Sequence, residues 1–293
     1  MISLMSQVAT AIDDWSSKTT GILFPVSSYH RTIHYSMVAA AGLTALATYL
    51  VQRKVPAPYG KLRRRQLGVD SKQEKAWGPK IIPTTLGHTI SDGPTGTFLF
   101  LYIFLKGAHY NYAANWTLAG LFMLHFFQRG FIHPFIMKYG DTHIRLGVWL
   151  GACGPNILFH VAIADWVANA VYPRNHLQKP LVMVGLVLYA VGFVVNRAAD
   201  WQQAQWKKQL RQREDYAYPK GWLFNMVANP NYFGEFVEWT GYLLVSQAPI
   251  CLMWSLFTAA TWFTRAGFNL EFYRKKFSDN YPRHRRALVP FVY

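Results

Sequence analysis

At 293 residues, with 30 Lys and Arg against 14 Asp and Glu, the chain carries a formal charge of +16, yet only 15% of its residues are charged and 52% are apolar. Soluble domains carry about a quarter charged residues, so the composition argues against an ordinary soluble domain and against the nucleic-acid binding that a pI near 9.9 invites; it fits apolar membrane spans joined by basic loops, with an anionic cofactor as a further partner. The two cysteines, Cys153 and Cys251, lie in apolar runs, which excludes a disulfide framework or a cysteine metal site and makes them small buried hydrophobes.

The first residues hold Asp13 and Asp14 in place of a basic n-region, and no short apolar h-region follows, so no cleavable signal peptide is expected. Residues 1–32 read as a lumenal or interfacial leader. The first span is expected over Ile33 to Val51. Residues 52–90 form a basic connection with Lys61, Arg63, Arg64 and Arg65, interrupted by Pro56, Pro58, Gly60 and Pro79, and so read as a loop with short helices at most. Asp92-Gly93-Pro94 closes that loop ahead of a second span from Thr95 to about Tyr112. A third runs from Trp116 to Met137 with His125, Gln128, Arg129 and His133 inside it. The fourth, about Ile144 to Val171, carries Gly147, Gly151 and Gly154, a small-residue spacing that lets helices approach closely. The fifth covers about Leu181 to Asp200 and leads into Lys207 and Lys208, read as a solvated face; the sixth contains the stretch Ala228 to Tyr242 and runs on into Val245; the seventh runs from about Ile250 to Tyr273.

This gives about seven spans by a twenty-residue window, and the expected fold class is an all-α integral membrane protein, a seven-transmembrane-helix bundle with its cofactor pocket in the cytosolic half. Residues 33–293 form one domain behind the leader. Loop Lys and Arg follow spans one, three, five and seven, which sets the N-terminus in the lumen and the C-terminus in the cytosol. Asn115-Trp116-Thr117 is a formal glycosylation sequon on the lumenal side, set against the membrane and expected to be unused. No Rossmann, Walker or zinc pattern occurs, so a nucleotide has to be held by membrane helices and their loops.

The polar groups inside these spans carry the chemistry. Asn229 stands at a helix cap with Pro230 in the first turn, and Asn231, Glu235, Glu238 and Tyr242 then recur at i, i+4, i+7 and i+11 on one face. Acidic groups in a membrane helix are expensive and mark a functional site facing the protein interior, or else a polar helix start at the headgroups. Asn196 and Asp200 share a face at the end of span five and suit an amide, ribose or adenine, or simply water at a helix end. Arg129 and Arg265 are embedded and call for anionic partners: a pyrophosphate, or Glu235 and Glu238. Asp92, at the mouth of span two, reads either as a desolvated acid kept neutral so that it can donate a hydrogen bond or as a helix cap. His125, His133 and His160 are proton-carrier candidates or satisfied structural histidines.

These residues resemble the membrane steroid 5α-reductase family. Tyr216, Pro219, Gly221, Leu223-Phe224, Val227, Asn231, Gly234-Glu235, Glu238-Trp239 and Gly241-Tyr242 follow its signature. Phe272-Tyr273, Phe277, Tyr281-Pro282, Arg286-Ala287-Leu288 and Pro290-Phe291 follow its ending. The resemblance covers about residues 180–293 specifically and Asp92 to Met137 more loosely. It implies a seven-helix reductase of the endoplasmic reticulum membrane that binds NADPH and transfers hydride to the β-carbon of an α,β-unsaturated ketone (steroid, sterol or terpenoid), with no nucleic acid or obligate protein partner. It also implies cofactor contacts at Asn196, Asp200, Tyr216, Asn231, Glu235, Glu238, Arg129, Arg265 and Tyr273, and no metal. Asp92 before Pro94 takes the place of a family Glu, with Ile81 before Pro83 as the competing match. A family tyrosine is Phe126 here, in the substrate pocket, so Asp92 is expected to act as catalytic acid with His125 or His133 replacing the lost phenol. Asn269 replaces a family His. The alternatives are an isoprenylcysteine-type methyltransferase using S-adenosylmethionine, whose Arg-His-Pro is Ala228-Asn229-Pro230 here, and a non-catalytic sterol-binding relative.

Overall fold

The computed structural model describes residues 2–54, 75, 77–137, 139, 141–211 and 218–293. Helix α1 spans Ile2–Thr20 and α2 Ser28–Gln52. The leader is thus a helix, and it docks on α2, where the Asp13 carboxylate meets Arg31 Nε at 3.1 Å. Strand β1, Lys80–Pro83, pairs antiparallel with β2, His143–Arg145, so part of the expected loop is a two-stranded ribbon.

The second helical rod begins at Thr84, eleven residues before the expected Thr95: α3 covers Thr84–Pro94, a π turn covers Thr95–Leu99, and α4 runs over Phe100–Lys106. Asp92 therefore lies well inside a helix and is not its cap. Pro94 offers no N–H to the ladder, and the wider turn that follows absorbs the defect. The third rod repeats the device: α5 is Ala113–Phe127, a π turn spans Gln128–Ile132, and α6 is His133–Met137. The two rods cross where Gly93 meets Gly130; a Cβ on Gly130 would lie 2.2 Å from Gly93 Cα.

Then come α7, Leu146–Asn169; α8, Pro180–Arg211; α9, Pro230–Ser246; and α10, Pro249–Phe277. Among the described residues three stretches, Ser28–Gln52, Leu146–Asn169 and Pro180–Lys208, are long and apolar enough to cross a membrane, which marks the chain as a mostly helical membrane protein. The close helix approach belongs to α8 and α9, not to the glycines of α7. Cβ atoms on Gly192, Gly234 and Gly241 would come within 2.3–2.4 Å of backbone nitrogen on the opposite helix, whereas Gly151 and Gly154 have nothing within 4 Å and Gly147 only touches Trp77. Asn229 does stand at the cap position of α9, but its side chain makes no cap bond and instead donates to the Ala287 carbonyl at 3.0 Å, tying the C-terminal segment to the bundle.

At the opposite end, Leu23 bridges to Val171, and Asn115 Nδ2 donates to the carbonyls of Val167 and Ala170 at 2.7 and 2.8 Å. Asn115 is fully buried, with its amide spent on those two carbonyls. The core between the ends is aromatic, with Phe100, Phe122, Phe159, Trp166, Trp239 and Tyr242 all buried. Cys251 is buried as expected, while Cys153 is only partly so.

Candidate active site

A cavity of about 850 Å³ opens among α2, α3 and α5 to α10. One wall is apolar, with Ala47, Val148, Ala152, Phe126, Trp254 and Phe257; the other carries Arg129, Asp200, Asn231, Glu235 and Arg265. Asp92, His125, Phe126, Arg129, His133, Asp200, Asn231, Glu235, Arg265 and Tyr273 all line it. Residues read separately from five spans thus converge on one space. Ile81 is exposed on β1 and does not line it. Tyr216 and its neighbour Ala217 lie outside the described residues.

The polar wall is built across the α8–α9 glycine contact. Asn196 Nδ2 donates to the Asn231 carbonyl at 2.9 Å and to Glu235 Oε2 at 3.1 Å, and Asn231 Nδ2 donates to Asp200 Oδ1 at 3.0 Å. Asn196 itself is buried behind the lining and acts as the strut between the two helices. Asp200 Oδ2 is approached by His133 Nδ1 at 3.0 Å and Arg129 at 3.7 Å. His133 Nε2 in turn lies 3.3 Å from both Arg129 Nη1 and the Tyr139 hydroxyl. Arg129 can only donate, so Nε2 accepts from it, and His133 links Arg129 to Asp200. Burial pushes the Tyr139 phenol up, which keeps it a donor. Arg265 Nε donates to the Tyr232 hydroxyl at 3.2 Å, and Asn269 Nδ2 donates to Asn229 Oδ1 at 2.7 Å. Lys207, expected on a solvated face, borders the cavity with its Nζ 5.9 Å from the Tyr139 ring.

Asp92 Oδ1 accepts from Ser91 Oγ at 3.0 Å and from Asn156 Nδ2 at 2.8 Å, while among the described residues its Oδ2 has His88 Nδ1 at 4.0 Å and no hydrogen bond. Phe126 packs on His160 with ring centres 4.1 Å apart and is wedged beside Gly96, whose Cβ would fall 2.3 Å from its own. His160 Nδ1 is held by Thr95 Oγ1 at 2.9 Å behind that ring, away from the lining. Glu238 does not line the cavity either. It is fully buried, 2.7 Å from His125 Nδ1 and 3.7 Å from Arg197.

Four residues escaped the sequence reading: His88, Asn156, Tyr139 and Arg197. Asn156 and Arg197 are polar groups inside apolar spans, the same signal that singled out Asp200 and Arg129. His88 and Tyr139 fell in segments read as loop.

Residues 142–293 match the family model of 3-oxo-5-alpha-steroid 4-dehydrogenase. The chain is 31% identical over 273 residues to steroid 5-alpha-reductase DET2 of Gossypium hirsutum, covering 92% of this chain and 100% of that protein. The chain belongs to this steroid 5-alpha-reductase family. It is 28% identical over 256 residues to 3-oxo-5-alpha-steroid 4-dehydrogenase 1 of Rattus norvegicus (87% and 94% covered) and 31% identical over 188 residues to the Homo sapiens protein of that name (62% and 69% covered). As a family member it is an oxidoreductase acting on CH–CH bonds, and the methyltransferase alternative is not favoured. The matched segment supplies α7 to α10 and so all of the polar wall but Arg129, which with Asp92 and His125 comes from the chain before it.

Proposed function

We propose that this reductase uses NADPH to reduce the C=C bond of a lipophilic α,β-unsaturated ketone, a steroid, sterol or terpenoid, with Asp92 as the acid at the ketone oxygen. The observation that carries the reading is that Asp92 and the Asp200–Asn231–Glu235 cluster line one cavity together with apolar Ala47, Val148, Ala152, Trp254 and Phe257. The donor set suits a dinucleotide. Arg129, Arg265 and Lys207 offer positive charge for phosphates, and Asp200, Asn231 and Glu235 offer acceptors and an amide for ribose or carboxamide, with Tyr273 beside them. Asn196 and His133 hold that set in place.

The bound cofactor supplies the hydride that reaches the substrate β-carbon. The chain's own contribution is at the oxygen. With Oδ1 of Asp92 taken by Ser91 and Asn156, the proton of the neutral acid resides on Oδ2 and is donated into the cavity. A preorganised donor at a developing enolate is worth roughly 3 kcal/mol. Phe126, Trp254 and Phe257 cover the apolar body of the substrate and exclude water.

In this reading seven rods cross the endoplasmic reticulum membrane: α2, α3–α4, α5–α6, α7, α8, α9 and α10. The 1–32 segment is lumenal, and the cavity opens to the cytosol with the C-terminus. The test is NADPH consumption by the detergent-solubilised protein across a panel of enones. Wild type turns over at least one of them, Asp92→Asn lowers kcat about 100-fold with NADPH binding intact, and S-adenosylmethionine does not bind. Equal turnover by wild type and Asp92→Asn refutes the role given to Asp92.

A further inference from the structure

We propose that His125 is a second donor to the ketone oxygen and that the buried Glu238 is its proton partner rather than a cofactor contact, with Arg197 setting the pH at which the pair works; this rests on the enone-reductase reading above. His125 lines the cavity next to Phe126, but its Nδ1 points the other way, 2.7 Å from Glu238 Oε1. The cavity edge of the ring therefore carries Nε2. Glu238 comes from α9, is fully buried and takes no part in the lining, so it reaches a ligand only through this imidazole. Arg197 of α8 completes the group: Nη2 is 3.7 Å from Glu238 Oε2 and 3.3 Å from His125 Nδ1, and Nη1 bonds Gln128 Oε1.

Proton counting decides what the pair offers. With one proton shared between Nδ1 and the carboxylate, whichever atom holds it, Nε2 keeps its N–H and donates. With that proton lost, the carboxylate takes the remaining one at Nδ1 and Nε2 is a bare lone pair, which repels a ketone oxygen. The shared proton also balances the reaction. As hydride adds to the β-carbon, the C=C pair moves through the α-carbon to the oxygen; Nε2–H passes its proton to that oxygen, and the shared proton settles on Nδ1. When the enol returns to the ketone its O–H proton goes back to Nε2, the Nδ1 proton returns to the shared position, and the α-carbon takes a proton from water. The net consumption is one hydride and one solvent proton.

Other ionisable groups surround the pair: Arg129 and His133 from the third rod, Glu235 from α9, Tyr189 from α8 and His160 from α7. Arg197 is the cation in direct contact, and a cation favours loss of the shared proton. Donor strength therefore falls as pH rises, and removing Arg197 carries that fall to higher pH.

The test is equilibrium binding, without NADPH, of a 3-oxo-Δ4 steroid and its 3-deoxo counterpart to the full-length protein in detergent, across pH. We expect wild type to prefer the ketone, with a preference that decays as pH rises. His125→Leu and His125→Gln lose the preference about tenfold while 3-deoxo binding holds. Arg197→Gln moves the decay to higher pH, and Glu238→Gln abolishes the decay. Ketone preference that survives both His125 variants, or a decay unmoved by both Glu238→Gln and Arg197→Gln, overturns the proposal. Ketone-selective binding without any NADPH oxidation by wild type refutes the reductase reading alone.

Discussion

Gly234 stands in the α8–α9 contact next to Glu235, and its replacement by alanine tests how the polar wall is held. The new Cβ would lie 2.4 Å from Asn196 N and 2.8 Å from the Gly192 carbonyl, both backbone atoms that no rotamer change can move. Ordinary carbon contacts need about 3.5 Å or more, so the helices must part by roughly 1 Å. That movement lengthens Asn196–Glu235 from 3.1 Å and Asn231–Asp200 from 3.0 Å to beyond hydrogen-bonding range. Overpacking costs about 1–3 kcal/mol, and the two bonds add about 1 kcal/mol each, for a loss of about 3–5 kcal/mol. Gly154→Ala is the control, because nothing lies within 4 Å of its Cβ and alanine is the better helix former by about 1 kcal/mol. Thermal unfolding in detergent, with nucleotide affinity measured alongside, reads both. Gly234→Ala should unfold several degrees earlier and bind NADPH more weakly, and Gly154→Ala should not. If the two variants behave alike, the glycine contact does not hold the wall.

Two further outcomes follow from the opposite end of the bundle. His176, in the segment joining α7 to α8, is buried with Nε2 2.8 Å from the Val245 carbonyl, and burial lowers its proton affinity. A histidine whose folded pKa is depressed contributes its full stability above the unfolded value of about 6.5 and loses it as pH falls below that; Tm should therefore drop on acidification through pH 6, and less steeply in His176→Gln. Asn115→Ala strands the Val167 and Ala170 carbonyls, at about 1–3 kcal/mol. The lost stability should appear as a lower unfolding midpoint, and the wild-type protein made in glycosylating cells should show no mass shift on deglycosylation.

Local spacing made part of the site legible. The i, i+4 and i, i+7 positions of α9, and Asn196 with Asp200 on α8, face where periodicity puts them, because a helix converts sequence distance directly into direction. What failed was partner choice. The glycines of α7 have the right spacing but no helix against them, and those of α8 and α9 carry the contact; spacing shows that a face is smooth and not what lies on it. Glu238 shares a face with Glu235 and looked equivalent, yet it turns to His125, 113 residues away in sequence. Asp92-Gly93-Pro94 looked like a loop closing because proline and glycine punctuate chains. The structure keeps the helix going through Pro94 by widening the next turn.

Those two widened turns have a consequence for how relatives are lined up. A π turn is an α-helix with one residue inserted, and one residue is about 100° of helical phase. Across Thr95–Leu99 and Gln128–Ile132 the chain is therefore out of phase with itself, and the two cavity-lining groups sit at these places, Asp92 just before the first turn and Arg129 within the second. A relative lacking one residue at either place would look nearly identical in composition and length. Its acid or its arginine would nonetheless point at a neighbouring helix or at lipid, so a single-residue gap there separates a complete site from an emptied one more sharply than many substitutions elsewhere.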